Sequence, residues 1–416
     1  MNDANAAKAL EPARLPWQDL PVRPVGAGFQ MLSGFVVLDL TTSIAGPYAT
    51  MLLSDFGAEV IKVERPNGDD ARHWGPPFLE GHSLWFTAVN RNKKSVVLDL
   101  GCAEGQAQFR ALLQRADVLV CNQPLDVQRK LGIDHETLRA LKSDLVFVSI
   151  TGFGLDGERA DLTCYDLIAE GYSGIMDITG EADGRPQKIG APAADMLAGQ
   201  DAAMAAVVAL LARERTGEGA KIDISLAESM TRFLACRISS YLGSGEIPAR
   251  SGGTDSVIAI YQSFETADGL LLNLGLGSDA IWKRFWAAVG DPQYAARPEF
   301  STNARRRAHR SEIVADIQAI LRTRTRAQWL EIFANSRVPA GPINRVDETA
   351  HDLAFQQRGL FFTLQDGTQQ VPQVGLGIRI DGQSATPRAA PPRLGEHTAS
   401  ILATLAKRKT AQGEPS

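Results

Sequence analysis

The residue best suited to chemistry is Asp195, which stands directly before a long, almost uncharged run, MLAGQDAAMAAVVALLARERTG. That run reads as a helix ending at Gly217. An aspartate there reads as an N-cap, whose oxygen accepts from the first free amides. The same amides and the helix dipole would keep the carboxylate ionised and available as a nucleophile. Tyr165 and Asp166 lie 30 and 29 residues upstream, in CYDLIAEGYSGIM. Two neighbouring carboxyls could divide acid, base and nucleophile roles.

A second group is cationic. Arg65 and Arg72 follow a strand-like run, in VERPNGDDARHW, and Lys93 and Lys94 precede another, in NRNKKS. Cations at the ends of parallel strands are placed to meet a phosphorylated ligand. The turn TTSIAGPYAT carries one glycine, so it lacks the GxGxxG pattern of a dinucleotide site, although Glu64 stands at a suitable distance. Four scattered cysteines form no CxxC pair, and the six histidines form no HxxxH set. Neither a disulfide scaffold nor a metal site is expected.

These residues need elements to hold them. Phe35–Leu40, Glu59–Glu64, Ser95–Leu100, Asp117–Asn122 and Leu145–Thr151 read as strands. Gly46–Phe56, Gly105–Ala116 and His135–Lys142 read as the helices between them. This alternation implies parallel βαβ units, hence an α/β fold with a Rossmann-like sheet. After the Asp195 helix come a strand at Lys221–Leu226 and one helix over Glu228–Leu242. Gly243–Thr254 reads as a loop, and YQSFETADGLLLNLGLG as a β-hairpin around Asp268-Gly269. Helices are expected near residues 280–288, 311–321 and 327–335. The expected layout is an irregular leader over 1–30 and a large domain over 31–228. A small α+β domain follows over 245–345, then a C-terminal segment over 346–405 and a tail over 406–416.

Length and charge bound the rest. The chain has 416 residues, 44 % of them apolar, and a net charge of -5. That suits two domains and gives no basic excess for nucleic acid. The N-terminus has no apolar signal region, and the longest strictly apolar run, Ala202 to Ala212, is short of a membrane span. A soluble, cytoplasmic protein without nucleic-acid or membrane partners is expected.

Taken together, the strings LDLTTSIAGPYATMLLSDFGAEVIKVERPNGDDAR, NRNKKSVVLDL, YDLIAEGYSGIM, ADMLAG, ERTGEGAKIDISLAES, VPAGPINRVDE and PPRLGEHT resemble the family III CoA-transferases. The resemblance runs from about Leu32 to Ala403. It implies a large Rossmann-like domain rejoined by the C-terminal segment, a small domain between, and an interlocked homodimer. It places the family's nucleophile on Asp195, which would carry acyl anhydride and CoA thioester intermediates. Coenzyme A would be substrate and product, with no bound cofactor or metal. The CoA contacts fall on Ile44, Ala45, Arg65, Leu98, Asn122 and Lys130. Trp74, Tyr165 and Asp166 fall around the acyl group. The family's glycine-rich lid falls on LGLGSD, with only Gly275 and Gly277; a plain strand end is the alternative there. Pro124 and Gly101 stand where cations are frequent, so the phosphate contacts are altered.

Two other functions compete. An α-methylacyl-CoA racemase would need a histidine where Tyr165 stands, because a phenol is a poor base at neutral pH. A non-catalytic acyl-CoA-binding protein would not need Asp195. The expected acceptor is a small carboxylic or dicarboxylic acid, with Arg232 and Arg250 as cations that could hold a second carboxylate.

Overall fold

A computed structural model describes residues 14–255 and 257–411. The first thirteen residues of the leader and the last five of the tail lie outside the described residues. The chain divides into two compact units. The first runs to Ser173, resumes over Ala191–Phe233 and again from Ala350; the second comprises Gly174–Gly190 and Leu234–Thr349.

The first unit is built on six parallel strands: β1 (Val36–Asp39), β2 (Glu59–Glu64), β3 (Lys93–Val97), β4 (Val118–Cys121), β5 (Val146–Thr151) and β6 (Ala220–Ser225). Their order in the sheet is β3-β2-β1-β4-β5-β6. The chain starts in the middle, builds outward to β3, then restarts at β4, so the crevice between β1 and β4 is a topological switch point where ligands bind. Strands covered on both faces read as mostly apolar runs, which is why Val36–Leu40 and Val60–Val63 stand out although Asp39 and Lys62 interrupt them.

One face of the sheet is covered by α2 (Ala103–Leu113), α3 (Leu125–Leu131), α4 (His135–Leu141) and the C-terminal α12 (Thr398–Ala411). Leu38, Ile61, Phe109, Leu112, Leu119, Phe147 and Ile401 fill that layer and are buried. Further residues of α12 are tied to β3, with Val97 N donating to Thr398 Oγ1 at 3.0 Å. On the other face lie α1 (Ala45–Asp55), α5 (Asp166–Ser173), α6 (Ala193–Thr216) and α7 (Leu226–Phe233). Alanines of α6 (Ala198, Ala202, Ala203, Ala206) are buried and give α1 a close approach. At Gly199 an added Cβ would lie 2.5 Å from Ala45 O, so only glycine fits. By length and composition α6 could cross a membrane, but 44 % of its most apolar stretch is buried within the protein.

The second unit has the hairpin β7 (Tyr261–Glu265) and β8 (Leu271–Gly275), extended by β9 (Ala340–Pro342). Helices α9 (Asp279–Ala288), α10 (Arg310–Leu321) and α11 (Arg326–Asn335) pack on it around an aromatic core of Trp282, Phe285, Trp286, Tyr294, Phe300 and Phe333.

Three expectations are corrected. The helix expected over Glu228–Leu242 is two, α7 and α8 (Ala235–Ser244), broken at Leu234, whose ψ is 9°. Residues 174–190, assigned to the large domain, belong to the second unit; there Gly252 N donates to Gly180 O and Arg250 pairs with Asp177. Finally, β3 begins at Lys93 rather than Ser95, because Lys93 is a buried member of the sheet and not a solvated cation.

Candidate functional site

Helix α6 starts at Ala193, with Pro192 in the N-cap position. A proline side chain accepts no hydrogen bond, so the first amides need another partner. Asp166, at the start of α5, supplies it: its Oδ1 accepts from Ala194 N at 2.8 Å and from Asp195 N at 3.3 Å. Asp195 is therefore not the N-cap but the third helical residue. It lies one turn before Gly199 on the same face of α6, which sets it beside the first turn of α1, where Ala45 stands.

This geometry reverses the expected electrostatics. Asp166 occupies the amides that were to stabilise Asp195. Burial, then the negative charge of Asp166, pushes the Asp195 carboxyl up to about 7. Near neutral pH it is divided between acid and carboxylate. A carboxylate raised in this way is a stronger base, and a strongly perturbed group is a candidate for a functional role. Sequence reading missed Cys164. Burial, then the charges of Asp195 and Asp166, pushes its thiol up to about 11. It stays protonated and does not compete as a nucleophile. Tyr165 is 68 % exposed, and Trp74 is half-buried, edge-on to Trp85 with ring centroids 6.3 Å apart.

At the C-terminal ends of β1, β2 and β3 opens a cleft of about 290 Å³. Thr41, Arg65, Leu98, Gln123 and Leu131 are among its walls. Of the expected CoA contacts, Arg65 and Leu98 line it directly. Arg65 is already bonded to Asp70 and donates to Gly68 O at 3.0 Å. Lys130 is exposed on α3, between the lining residues Val127 and Leu131. Asn122 does not line the cleft; its amide is engaged with the backbone of Thr42. Ile44 and Ala45 are buried at the start of α1. Ile44 instead lines a second, apolar cavity of about 290 Å³, with Tyr48, Trp85, Pro192 and Met196, next to the first turn of α6. Gly46 is required here because a Cβ would fall 2.3 Å from Thr41 Cβ.

The other cations are spoken for. Lys93 is buried against Asp39 at 2.9 Å, Arg72 pairs with Glu64 at 2.7 Å, and Lys94 pairs with Glu59 at 2.7 Å. None of these three faces the cleft as a phosphate ligand. Glu64 also accepts from Ser95 Oγ at 2.6 Å and Asp69 N at 3.0 Å, which leaves it no capacity for a ribose. Arg232 is bonded to Asp201, and Arg250 pairs with Asp177 at 3.0 Å, so neither is a free cation for a second carboxylate. Gly275 and Gly277 lie in the second unit. Gly275 closes β8, with its N–H on Pro339 O at 3.1 Å; Leu276 is buried, and Ser278 caps α9. The stretch is anchored as a strand end. Among the described residues no cluster of three or more metal-type ligands occurs.

The model of CoA-transferase family III matches residues 32–398. The chain is 40 % identical to succinate–glutarate CoA-transferase of Agrobacterium fabrum, over 90 % of this chain and 95 % of that one. It is 36 % identical to succinyl-CoA:mesaconate CoA-transferase of Haloarcula hispanica, over 88 % and 94 %. Among solved structures, a CAIB/BAIF family protein from Brucella suis superposes with a TM-score of 0.79 at 38 % identity, covering 90 % of this chain and 99 % of that one. With its switch-point cleft and an aspartate at the head of α6, the chain belongs to family III of the CoA-transferases and is an enzyme that uses coenzyme A as a substrate.

Proposed function

We propose that the protein transfers CoA from succinyl-CoA to a small dicarboxylic acid of the glutarate type, with Asp195 as the nucleophile. The observation that carries this is Asp195 itself: partly buried, beside Asp166, its carboxyl raised to about 7, at the head of α6 and next to the turn that walls the cleft. The relatives' named substrates supply the donor and the acceptor class.

A carboxylate oxygen of Asp195 attacks the thioester carbonyl. The C–S bond breaks, giving a mixed anhydride and CoA thiolate. The thiolate attacks the Asp195 side-chain carbonyl, the donor leaves as a carboxylate, and an aspartyl-CoA thioester remains. The acceptor carboxylate attacks that thioester and displaces the thiolate. The thiolate then attacks the acceptor's carbonyl in the second anhydride, and the Asp195 carboxylate is restored. No proton is gained or lost over the cycle. Anhydrides hydrolyse readily, so the site must keep water away. Arg65 and Lys130 hold phosphate oxygens, Ile44, Ala45 and Leu98 line the pantetheine path, and Asn122 acts through Thr42. Trp74 and Tyr165 bound the acyl group. The working form is a cytoplasmic homodimer; exposed Met204, Val208 and Leu211 on α6 support an apolar contact.

The assay supplies succinyl-CoA with glutarate, mesaconate or acetate and separates the CoA esters. Dicarboxylates are expected to form new esters at least about tenfold faster than acetate. Deuterium uptake at the α-carbon of a 2-methylacyl-CoA without CoA exchange would instead establish a racemase.

A further inference from the structure

The turn from Leu40 to Ile44 walls the cleft with Leu40, Thr41 and Thr42. It belongs to no strand or helix, and Ser43 sits at φ 69°, in the left-handed region. That conformation is unfavourable for a residue with a side chain. Nonetheless its backbone is held almost group by group. Leu40 O accepts from Gln123 Nε2 at 2.5 Å. Thr41 N donates to Asp39 Oδ1 at 2.9 Å, and Thr41 O accepts from Lys62 Nζ at 2.8 Å. Thr42 N donates to Asn122 Oδ1 at 3.0 Å, and Thr42 O accepts from Asn122 Nδ2 at 2.8 Å. Ser43 N donates to Asp69 Oδ1 at 3.0 Å. Lys62 closes the circuit, 2.9 Å from Asp69 and 4.0 Å from Asp39.

The side chains of Lys62, Asp69 and Asp39 are all 0 % exposed. Lys62 therefore touches no substrate. Nor is a buried ion pair an efficient source of stability, since desolvation offsets most of its attraction. Its specific effect is directional: it ties the carbonyl of Thr41 to the carboxylate that grips Ser43. We infer that Lys62, Asp69 and Asn122 are positioning residues that set this turn for acyl-CoA before the ligand arrives. A preset wall spares the ligand the cost of ordering it, so the residues act on affinity rather than on the chemical step. The inference rests on the reading of the cleft as the CoA site.

The test compares Lys62→Met, Asn122→Ala, their double variant and Lys94→Met in the full chain. Lys94→Met is the control, because Lys94 is exposed and bonded to Glu59. Calorimetry gives the Kd of CoA, and steady-state kinetics give kcat and the KM of succinyl-CoA and of the acceptor. Lys62→Met and Asn122→Ala are each expected to raise the CoA Kd and the succinyl-CoA KM about tenfold, with kcat within about threefold, whereas Lys94→Met should bind and turn over as wild type does. The double variant should be little worse than either single one, because both release the same turn. Asn122→Asp, which keeps the acceptor for Thr42 N, should fall between wild type and Asn122→Ala. A folded Asn122→Ala with unchanged Kd, strictly additive effects, or a loss confined to kcat would overturn the inference. Should Lys62→Met not fold, the Asn122 pair decides. Wild-type protein that fails to bind CoA would overturn the underlying reading, a result distinct from variants that bind as wild type does.

Discussion

Asp195→Asn is expected to lower CoA transfer by about 10⁴-fold or more while leaving the Kd for CoA within about threefold. The amide is close in shape but cannot form the anhydride, and Asp195 is not among the walls of the cleft. The same variant is expected to be the more stable protein. Folding raises the Asp195 carboxyl from the ordinary carboxylate range to about 7. The folded chain therefore holds this proton more tightly than the unfolded chain. The cost of ionising the buried group is small at pH 4, below about 1 kcal/mol, grows as pH rises towards 7, and is nearly complete at pH 8. Holding the carboxyl at about 7 instead of in its ordinary range corresponds to about 4 kcal/mol at most. Thermal unfolding should show Asp195→Asn within about 1 kcal/mol of wild type at pH 4 and about 2–4 kcal/mol more stable at pH 8. Equal stability at both pH values would show that the carboxyl is not held in a costly environment.

The second large effect falls on Asp166. Asp166→Asn keeps an oxygen for Ala194 N and Asp195 N but removes the negative charge that helps to raise Asp195. The acid limb of kcat/KM against pH is then expected to move to lower pH but to stay above the ordinary carboxylate range, because burial, the larger cause, remains. Asp166→Ala loses the cap as well. It should cost about 1 kcal/mol of stability and about 10²-fold in kcat, since the nucleophile sits in the turn that frays. An acid limb unmoved in Asp166→Asn would mean that Asp166 only caps the helix.

Much of the fold was legible because buried parallel strands leave short runs that are mostly apolar and rich in β-branched residues. Val60–Val63 and Val146–Ile150 needed no tertiary knowledge. The β3 register was not legible, because Lys93 resembles a solvated cation until Asp39, 54 residues earlier, is brought to it. Burial pulls Lys93 down to about 8, against the opposing pull of Asp39. Lys62 was hidden in the same way. The membership of Gly174–Gly190 in the second unit rests on backbone bonds to Gly252, which leave no periodic trace.

At the site, the candidate carboxylate could be picked out from the sequence and its environment could not. Asp195 preceding an apolar helix suggested an N-cap and an ionised group. The cap is Asp166, 28 residues before Ala194. One signal was present: Pro192 cannot cap a helix, so an acceptor had to come from elsewhere in the chain. Cys164 gave no signal, since Asp195, whose charge acts on it more strongly than that of Asp166, is 31 residues away in the chain and meets it only in the fold.

The central claim is that Asp195 becomes covalently linked to CoA during turnover. Incubation of the full-length enzyme with succinyl-CoA in the absence of acceptor, acid quench and peptide mass spectrometry tests it directly. The account predicts a CoA thioester on the peptide containing Asp195, formed by wild type, absent from Asp195→Asn, and discharged within one turnover by glutarate. Transfer at the full wild-type rate by Asp195→Asn, or a CoA adduct on another residue such as Cys164, would contradict it.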